Sequence, residues 1–266
     1  MASAGTCQDS RLGRRLGQHF LIRQEILERI AAAACPEKTG TVVEIGPGRG
    51  ALTAHLLARA ERVISIEVDP VLVQYLRAEF RGEPRLTVVD ADVLKTDLGQ
   101  WGAVTVAGNL PYYITSPIME KTLALGPLLE RAVFLVQLEV AQRLTARPGT
   151  RDYGFLSVQT QLLSTPELLF PVPAKAFRPA PKVDSAVVRL LPGAALPPQD
   201  QKAFLAFAGL CFRQKRKKIR NNLLGRYDRA LLDAIPATGN RAEQLSIQEL
   251  QALYAQVVAA SPRPVS

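Results

Sequence analysis

The sequence predicts an α/β fold in which a parallel sheet carries helices on both faces, followed by a small C-terminal helical domain. Apolar, β-branched runs such as "TVVEIG" (41–46) and "RVISIEVD" (62–69) alternate with helical stretches of about ten residues. These runs are apolar throughout rather than at every second position, as in strands that are buried on both faces. Beyond residue 200 only helical patterns remain.

The other elements of the sheet domain follow in a regular order. Helices are predicted over "QEILERIAAAA" (24–34), "ALTAHLLARA" (51–60), "VLVQYLRAEF" (71–80) and "PIMEKTLAL" (117–125). Further strands are predicted at 86–93, 103–108 and 131–137. Two late apolar runs, "PELLFPV" (166–172) and "SAVVRLL" (185–191), are typical of a hairpin or of edge strands.

A proline-rich segment separates the two predicted domains. "PGAALPPQD" (192–200) interrupts the alternation of strands and helices and is predicted to be a linker, after which a helix begins in "QKAFLAFAGLCF". We therefore expect an α/β domain over residues 1–191 and a small helical domain over residues 192–266.

Composition restricts the class of protein. The chain has 266 residues, of which 47% are hydrophobic, and no apolar run approaches the roughly 18 residues of a membrane span. The N-terminus lacks the apolar stretch of a secretory signal, although its arginines leave an organellar address open. Cys7, Cys35 and Cys211 are too scattered for a disulfide framework or a zinc site. We expect a cytoplasmic protein without a bound metal.

The net charge of +9 is concentrated in one segment. Residues 1–173 contain 18 basic and 18 acidic side chains, whereas residues 174–229 contain 13 basic and 3 acidic ones. Residues 230–266 add 2 basic and 3 acidic side chains. Such a concentration of positive charge favours a polyanionic partner, although a solvated surface is the plainer alternative.

A glycine-rich turn and acidic strand ends predict a nucleotide cleft. Gly46, Gly48 and Gly50 directly follow the first strong strand, where glycine lets the backbone approach a ligand closely. Glu67 ends the second strand, where a carboxylate can accept hydrogen bonds from both ribose hydroxyls. Asp92 ends the third and could accept from an adenine amino group. Asp69 and Asp90 are close competitors for these two roles.

The same turn indicates which cofactor is expected. It offers no lysine and no Gly-Lys-Ser/Thr sequence, which excludes a P-loop for phosphates. A ligand with adenine and ribose but no phosphate fits this combination of glycines and acidic strand ends. S-adenosylmethionine is the natural candidate.

The stretch "AGNLPYYITSP" (107–117) predicts where the chemistry occurs. An exocyclic amine of adenine is a poor nucleophile because its lone pair is delocalised into the ring. The side-chain oxygen of Asn109 and the backbone carbonyl of Leu110 could accept its hydrogens and localise that pair. Pro111 stiffens the turn, and Tyr112 offers a face for a base, worth about 1–3 kcal/mol. Tyr113 is ambiguous between core packing and the base pocket.

Together these motifs identify a family. "VVEIGPGRGALT", "SIEVD", "DADVL" and "GNLPYYITSP" resemble successive motifs of S-adenosylmethionine-dependent adenine-N6 methyltransferases. "LGQHFL", "LVQLEVAQRL", "RDYGFLSVQ", "FRPAPKVDSAVVRL" and "FRQKRKKIRNNL" are similar to the small-subunit ribosomal RNA adenine dimethyltransferases. The resemblance extends from about residue 13 to about residue 225. It implies the Rossmann-like sheet of class I methyltransferases.

The resemblance also implies residue roles and a substrate. It places cofactor contacts at His19, Leu21, Gly46, Glu67 and Asp92, and lets Asn109 touch both cofactor and target amine. It implies dimethylation of two adjacent adenines near the 3′ end of small-subunit RNA in immature subunits, by an enzyme that we expect to be monomeric. The chain departs from the usual pattern at His19, where asparagine is common, and at Leu138, where lysine is frequent. The second departure leaves one RNA or cofactor contact open.

A short basic run is the predicted RNA-binding element. "RQKRKKIR" (213–220) has six basic residues in eight, which on a helix would surround most of the circumference. Each neutralised phosphate adds salt dependence to binding. Lys175 and Arg178 could extend the surface. The residues expected to bind RNA are Arg213, Lys215, Arg216, Lys217, Lys218, Arg220 and Lys182.

Two other functional classes stay open at this stage. The first is a related methyltransferase that acts on large-subunit RNA, as macrolide-resistance enzymes do, or on DNA. The second is a non-catalytic ribosome-assembly or RNA-binding factor on the same fold. The intact stretch Asn109–Tyr112 argues against the second class, because a protein that only binds needs no acceptors for an amine.

Overall fold

A computed structural model of the chain describes residues 19–193 and 198–260. The chain divides into two compact units. The first contains residues 1–141 and 167–192, and the second contains residues 142–166 and 193–266. The arginine-rich N-terminal stretch and Cys7 lie outside the described residues. None of the described helices has both the length and the apolar character needed to cross a membrane.

A seven-stranded sheet forms the centre of the first unit. Its strands are β2 (Thr39–Ile45), β3 (Ala60–Glu67), β4 (Leu86–Asp90), β5 (Val104–Asn109), β6 (Leu129–Gln137), β7 (Ser164–Val172) and β9 (Ser185–Pro192), in the order β4-β3-β2-β5-β6-β9-β7. Five of them, β2 to β6, are parallel. β9 is antiparallel to β6 and pairs Ser185 with Gln137. The antiparallel direction brings the start of β9 to the edge where the parallel strands end.

Four helices of the sheet domain occur where the sequence predicts them: α1 (Gln24–Ala34), α2 (Ala51–Leu57), α3 (Pro70–Glu79) and α4 (Thr115–Leu123). A further helix that the sequence analysis did not predict, α5 (Leu138–Leu144), follows β6. Leu27 and Ile30 of α1 and Leu56 of α2 are buried against Val42 and Val133 of the sheet. Burying such side chains stabilises the fold by roughly 1.5–3 kcal/mol each.

A second, two-stranded sheet joins the start of the described chain to a distant segment. β1 (Phe20–Leu21) pairs antiparallel with β8 (Phe177–Arg178), and the amide of Ile22 donates to the carbonyl of Ala176 at 2.9 Å. Leu21 and Phe177 are buried in the same apolar cluster as α1. This pairing fixes residues 19–22 beside the main sheet.

The second unit is helical and has its own core. Its helices are α6 (Phe155–Leu163), α7 (Pro198–Cys211), α8 (Ile219–Leu223), α9 (Arg229–Ala234) and α10 (Ile247–Ala260). Phe204 and Phe207 of α7 pack with Leu250 and Leu253 of α10 and with Tyr153. Cys211 in this core and Cys35 in the first unit are buried free thiols.

The structure differs from the sequence prediction in three respects. Residues 142–166, including α6, belong to the helical unit, whereas the sequence suggested one boundary near residue 192. α7 begins at Pro198, inside the expected linker, because proline is well suited to the first turn of a helix. Residues 213–218 of the basic run lie outside a helix, between α7 and α8, and are all exposed. The last two residues of the run, the buried Ile219 and the exposed Arg220, begin α8.

Two central strands pack so closely that no space is left for a side chain at Gly108. A Cβ atom on Gly108 would lie 2.5 Å from the backbone oxygen of Ile45, and a backbone atom of a central strand cannot move aside easily. We expect Gly108→Ala to reduce the free energy of unfolding by about 1–3 kcal/mol, the usual cost of overpacking. Urea unfolding checks this. Gly40→Ala in β2 is the matched control, because nothing lies within 4 Å of its Cβ position; equal midpoints would contradict the prediction.

Candidate active site

A cavity of about 660 Å³ lies at the carboxyl ends of the parallel strands. Its wall consists of the segments that follow β2, β3, β4 and β5, together with residues of β1 and β8. Ligands of open α/β sheets bind at this edge. The structure brings ten of the predicted site residues together in the lining: His19, Leu21, Gly46, Gly48, Glu67, Asp92, Asn109, Leu110, Pro111 and Tyr112.

The glycine turn after β2 brings bare backbone to the cavity. Gly46, Gly48 and Gly50 have φ angles of 64°, 59° and 78°, a region that side chains rarely adopt. A Cβ atom on Gly48 would lie 2.9 Å from the ring of Phe20. Because Phe20 belongs to β1, the turn and the first described strand pack directly against each other at the cavity wall.

Glu67 ties the end of β3 to this turn. One carboxylate oxygen accepts from the amide of Gly48 at 3.1 Å, and the other accepts from the amides of Val68 and Asp69 at 2.9 and 3.1 Å. Burial raises the pKa of Glu67, and these three amides oppose that rise. A carboxylate has about four acceptor positions. Roughly one acceptor position of Glu67 therefore remains for a ribose hydroxyl. The sequence analysis had suggested hydrogen bonds to both ribose hydroxyls.

The structure distinguishes the predicted ligands Glu67 and Asp92 from the two competing aspartates, Asp69 and Asp90. Asp69 is buried and caps α3 by accepting from the amide of Val71 at 2.9 Å. Asp90 is exposed in β4, whereas Asp92 is half-buried and lines the cavity. One oxygen of Asp92 accepts from the amide of Leu94 at 2.9 Å, which fixes the carboxylate. The geometry favours Glu67 and Asp92 over their competitors.

Glu44 is a buried carboxyl group that the sequence did not single out. It lies on β2 under the glycine turn, lines the cavity, and is 1% exposed. A single oxygen accepts from the hydroxyls of Thr53 at 2.6 Å and Ser65 at 2.9 Å. Burial raises its pKa to about 7; these two hydroxyls oppose the rise and Glu67 adds to it. The sequence does contain an indication of this residue, because Glu44 is a charged residue within an otherwise apolar strand.

Asn109 ends β5 and Leu110 follows it, and the acceptor oxygens of both residues are uncommitted. The amide nitrogen of Asn109 donates to the backbone oxygen of His19 at 2.9 Å, which leaves the side-chain oxygen as its acceptor. The backbone nitrogen of Leu110 donates to Leu135 at 3.1 Å. Its carbonyl oxygen accepts no hydrogen bond from the part of the chain that the structure describes. Pro111 follows with φ −59°, in a turn closed by the amide of Ile114.

Aromatic rings surround this turn. The rings of His19 and Tyr112 are stacked, with centroids 5.8 Å apart, and Nδ1 of His19 lies 2.7 Å from the carbonyl oxygen of Pro179. The hydroxyl of Tyr112 lies 2.8 Å from that of Ser185. Tyr113 lines the cavity but is 60% exposed, so it is not a core residue. Burial raises the pKa of Tyr113, as do the nearby charges of Asp92 and Glu67.

Comparison with known proteins identifies the family. The family described as ribosomal RNA adenine dimethylase matches residues 10–257. The chain belongs to this ribosomal RNA adenine dimethylase family. Two relatives called ribosomal RNA small subunit methyltransferase A support the assignment. The protein of Chlorobium phaeobacteroides is 40% identical over 249 residues (92% of this chain, 90% of the relative), and that of Acidobacterium capsulatum is 42% identical over 252 residues (90% and 89%).

Two solved structures of methyl-transferring enzymes share the fold. A dimethyladenosine transferase from Plasmodium falciparum has a TM-score of 0.75 at 25% identity, covering 90% of this chain and 98% of the other. The 23S rRNA methyltransferase ErmE has a TM-score of 0.71 at 32% identity, covering 90% and 99%. The fold is therefore the Rossmann-like sheet of class I methyltransferases.

The cations that the sequence assigned to RNA lie on both units of this dimethylase. Lys182 is exposed on the first unit and the basic run is exposed on the second. Within the run, Lys215 donates to the backbone oxygen of Arg151 and lies 3.7 Å from Glu243. Arg220 lies 3.6 Å from Asp233. Arg213, Arg216 and Lys217 make no ion pair with the residues that the structure describes.

Glu44 should make the stability of the protein depend on pH. Its pKa is about 7 in the folded chain against an ordinary 4.5, so the stability linked to its proton is complete below pH 4.5 and is lost as pH rises through 7. The loss amounts to about 3 kcal/mol at 1.36 kcal/mol per pKa unit. We expect Glu44→Gln to flatten this decline when urea unfolding is measured from pH 5 to pH 8.

The control for this experiment is Glu79→Gln, which changes an exposed carboxylate of α3. It should leave the decline intact. Glu67, whose pKa is also raised, should leave a residual slope of the same sign in Glu44→Gln. Parallel pH profiles for the wild type and Glu44→Gln would contradict the assignment.

Proposed function

We propose that this chain dimethylates N6 of two adjacent adenines, in a loop near the 3′ end of small-subunit ribosomal RNA, with S-adenosylmethionine as methyl donor. The observation that carries the proposal is the pair of uncommitted acceptors, the side-chain oxygen of Asn109 and the carbonyl oxygen of Leu110, at the cavity wall. Membership of the dimethylase family supports the reaction, and the names of the relatives support the small subunit.

The cavity fits the proposed cofactor. Its glycine turn lets a ligand approach the backbone, and the remaining acceptor position of Glu67 suits a ribose hydroxyl. The second oxygen of Asp92 suits an adenine amino group. The carboxyl groups of Glu67 and Asp92 lie in the cavity lining, which also contains Arg49 and Arg178, and could face the positive charge of the sulfonium. When bound, S-adenosylmethionine supplies an electrophilic methyl group on a sulfonium sulfur.

The residues at the end of β5 activate the amine by geometry. With its nitrogen held by His19, the Asn109 amide can direct only its oxygen at the amine. The carbonyl of Leu110 supplies the second acceptor. Two acceptors draw the amine hydrogens out of the ring plane and localise the lone pair on nitrogen. Such preorganised acceptors need no rearrangement during the reaction, so the effect is concentrated in the transition state.

The aromatic turn and the basic run bind the substrate in this proposal. Tyr112 stacks the extruded adenine, an interaction worth about 1–3 kcal/mol per base. The exposed cations of residues 213–220, with Lys182, contact RNA phosphates. We further propose that the enzyme acts as a monomer in the cytoplasm on immature small subunits.

A related large-subunit activity is the second candidate. ErmE, whose name specifies 23S rRNA, is 32% identical to this chain, whereas the small-subunit relatives are 40–42% identical. The scaffold is shared, so the difference in identity is what favours the small subunit. Incubating the protein with labelled cofactor and either immature small subunits or large-subunit RNA, then mapping the methylated bases, decides between the two candidates.

Asn109 provides the sharpest test of the catalytic assignment. Asn109→Ala removes the side-chain acceptor and should lower the turnover rate about a hundredfold or more, corresponding to about 3 kcal/mol in the barrier. Cofactor and RNA binding should change little. Asn109→Asp keeps an acceptor but loses the bond to His19, so its rate should fall less. Single-turnover methylation of immature small subunits measures both. Normal dimethylation by Asn109→Ala would refute the role.

The basic run is tested by salt dependence. The variant replaces Arg213, Arg216 and Lys217 with glutamine and spares Lys215, whose contacts hold the turn. RNA binding should weaken, and its dependence on log salt concentration should flatten by about 0.7–0.9 units for each phosphate that the variant no longer neutralises. Cofactor affinity should not change.

The matched control removes three exposed cations from the first unit, Arg62, Arg81 and Lys95. It reduces the net charge equally, so it separates a specific contact from a general effect of charge. Equal salt slopes in the two variants would show that the run is an ordinary solvated surface.

A further inference from the structure

Ser185 occupies an unusual place for a residue of β9. It is the first residue of that strand, it is 0% exposed, and it pairs with Gln137 at the end of β6. The neighbouring strand β5 ends in Asn109, which pairs with Leu135 two residues before Gln137. Because β9 is antiparallel, its start lies at the edge of the sheet where β5 ends. The hydroxyl of Ser185 is therefore beside the proposed catalytic turn.

The start of β9 is firmly held on both sides. The carbonyl oxygen of Asp184 accepts from the amide of Leu138 at 3.0 Å, and its carboxylate accepts from the amide of Ala174 at 2.9 Å. The position of the Ser185 hydroxyl is thus set by backbone anchors on two other segments. Because the Ser185 hydroxyl has a fixed position, a hydrogen bond to it restrains the position of the group that makes the bond.

That partner is the hydroxyl of Tyr112, at 2.8 Å. The same ring is stacked on His19, whose main-chain oxygen holds the amide of Asn109. The Tyr112 ring is consequently restrained at its hydroxyl end by Ser185 and on one face by His19. We propose that Ser185 is a positioning residue, which fixes the Tyr112 ring so that an adenine stacked on it presents its amine correctly for the second methylation. This inference rests on the proposed function.

The second methylation should depend on Ser185 more than the first. An unmodified amine donates two hydrogens, one to Asn109 and one to Leu110, and these bonds help to orient the base. A monomethylated amine has only one hydrogen left. Its orientation then depends more on the stacked ring, so freedom in that ring costs more at the second step.

The test is a double-mutant cycle on single-turnover rates of the first and second methylation. Ser185→Ala and Tyr112→Phe each remove the hydrogen bond and keep the ring, and each should slow the second step about 3- to 10-fold, with a smaller effect on the first. The double variant should be no slower than the slower single variant, because both remove the same interaction. Monomethyladenine should accumulate in all three.

Ser164→Ala is the matched control, because Ser164 is also a buried serine at the first residue of a strand, with its hydroxyl bonded to the carbonyl of Thr160. Cofactor affinity by calorimetry should be unchanged in every variant. Rates for Ser185→Ala equal to those of Ser164→Ala would overturn the proposal. Rate reductions that multiply in the double variant would also overturn it, since Ser185 would then act independently of Tyr112.

A measurement without turnover separates this inference from the proposed function. The position of the Tyr112 ring can be followed by NMR through the ring-current shift that it imposes on the stacked His19, and the change of that shift on replacing Tyr112 with Ala assigns the effect. Ser185→Ala should alter this shift because the ring is released at its hydroxyl end, and an unchanged shift would overturn the positioning role. A wild-type chain that produces no dimethyladenine while Ser185→Ala still frees the ring would refute the proposed function alone.

Discussion

The hydrogen bond from the Gly48 amide to the Glu67 carboxylate is the constraint on which the cavity depends. It joins the turn after β2 to the end of β3, so two neighbouring strand ends form one wall. The cost of burying a carboxylate at this point is offset by hydrogen bonds from three backbone amides, those of Gly48, Val68 and Asp69. One of them belongs to the glycine turn, so Glu67 also satisfies an amide of the segment that must approach the ligand.

A similar arrangement at the end of β5 determines what the site can do chemically. Asn109 gives its amide hydrogen to His19, and β1, which begins at the next residue, is fixed by pairing with β8. The start of the described chain thus sets the direction of a side chain far along the sequence. The side-chain oxygen of Asn109 is left as an acceptor because the amide nitrogen of the same side chain already donates within the fold.

Much of the site could be predicted from sequence because each strand end is a local feature. Glycines after an apolar run, and acids or an asparagine at successive strand ends, are visible in short windows and must meet at one edge of a parallel sheet. Non-local features could not be predicted. Ser185 reaches the site only because β9 is antiparallel, and residues 142–166 join the helical unit through packing. The basic run forms turns because, with six cations in eight residues, it offers almost nothing to bury.

The charged groups of the cavity have both signs. Its lining contains the carboxyl groups of Glu67 and Asp92 together with Arg49 and Arg178. Burial raises the pKa of Glu44 to about 7, so this third carboxyl group carries only part of a charge near neutral pH. In the proposed reaction, the carboxylates suit the cationic sulfonium cofactor, whereas the exposed cations of both units suit the phosphates of RNA. The adenine that reacts is neutral, so stacking and hydrogen bonds hold it in the site, and not charge.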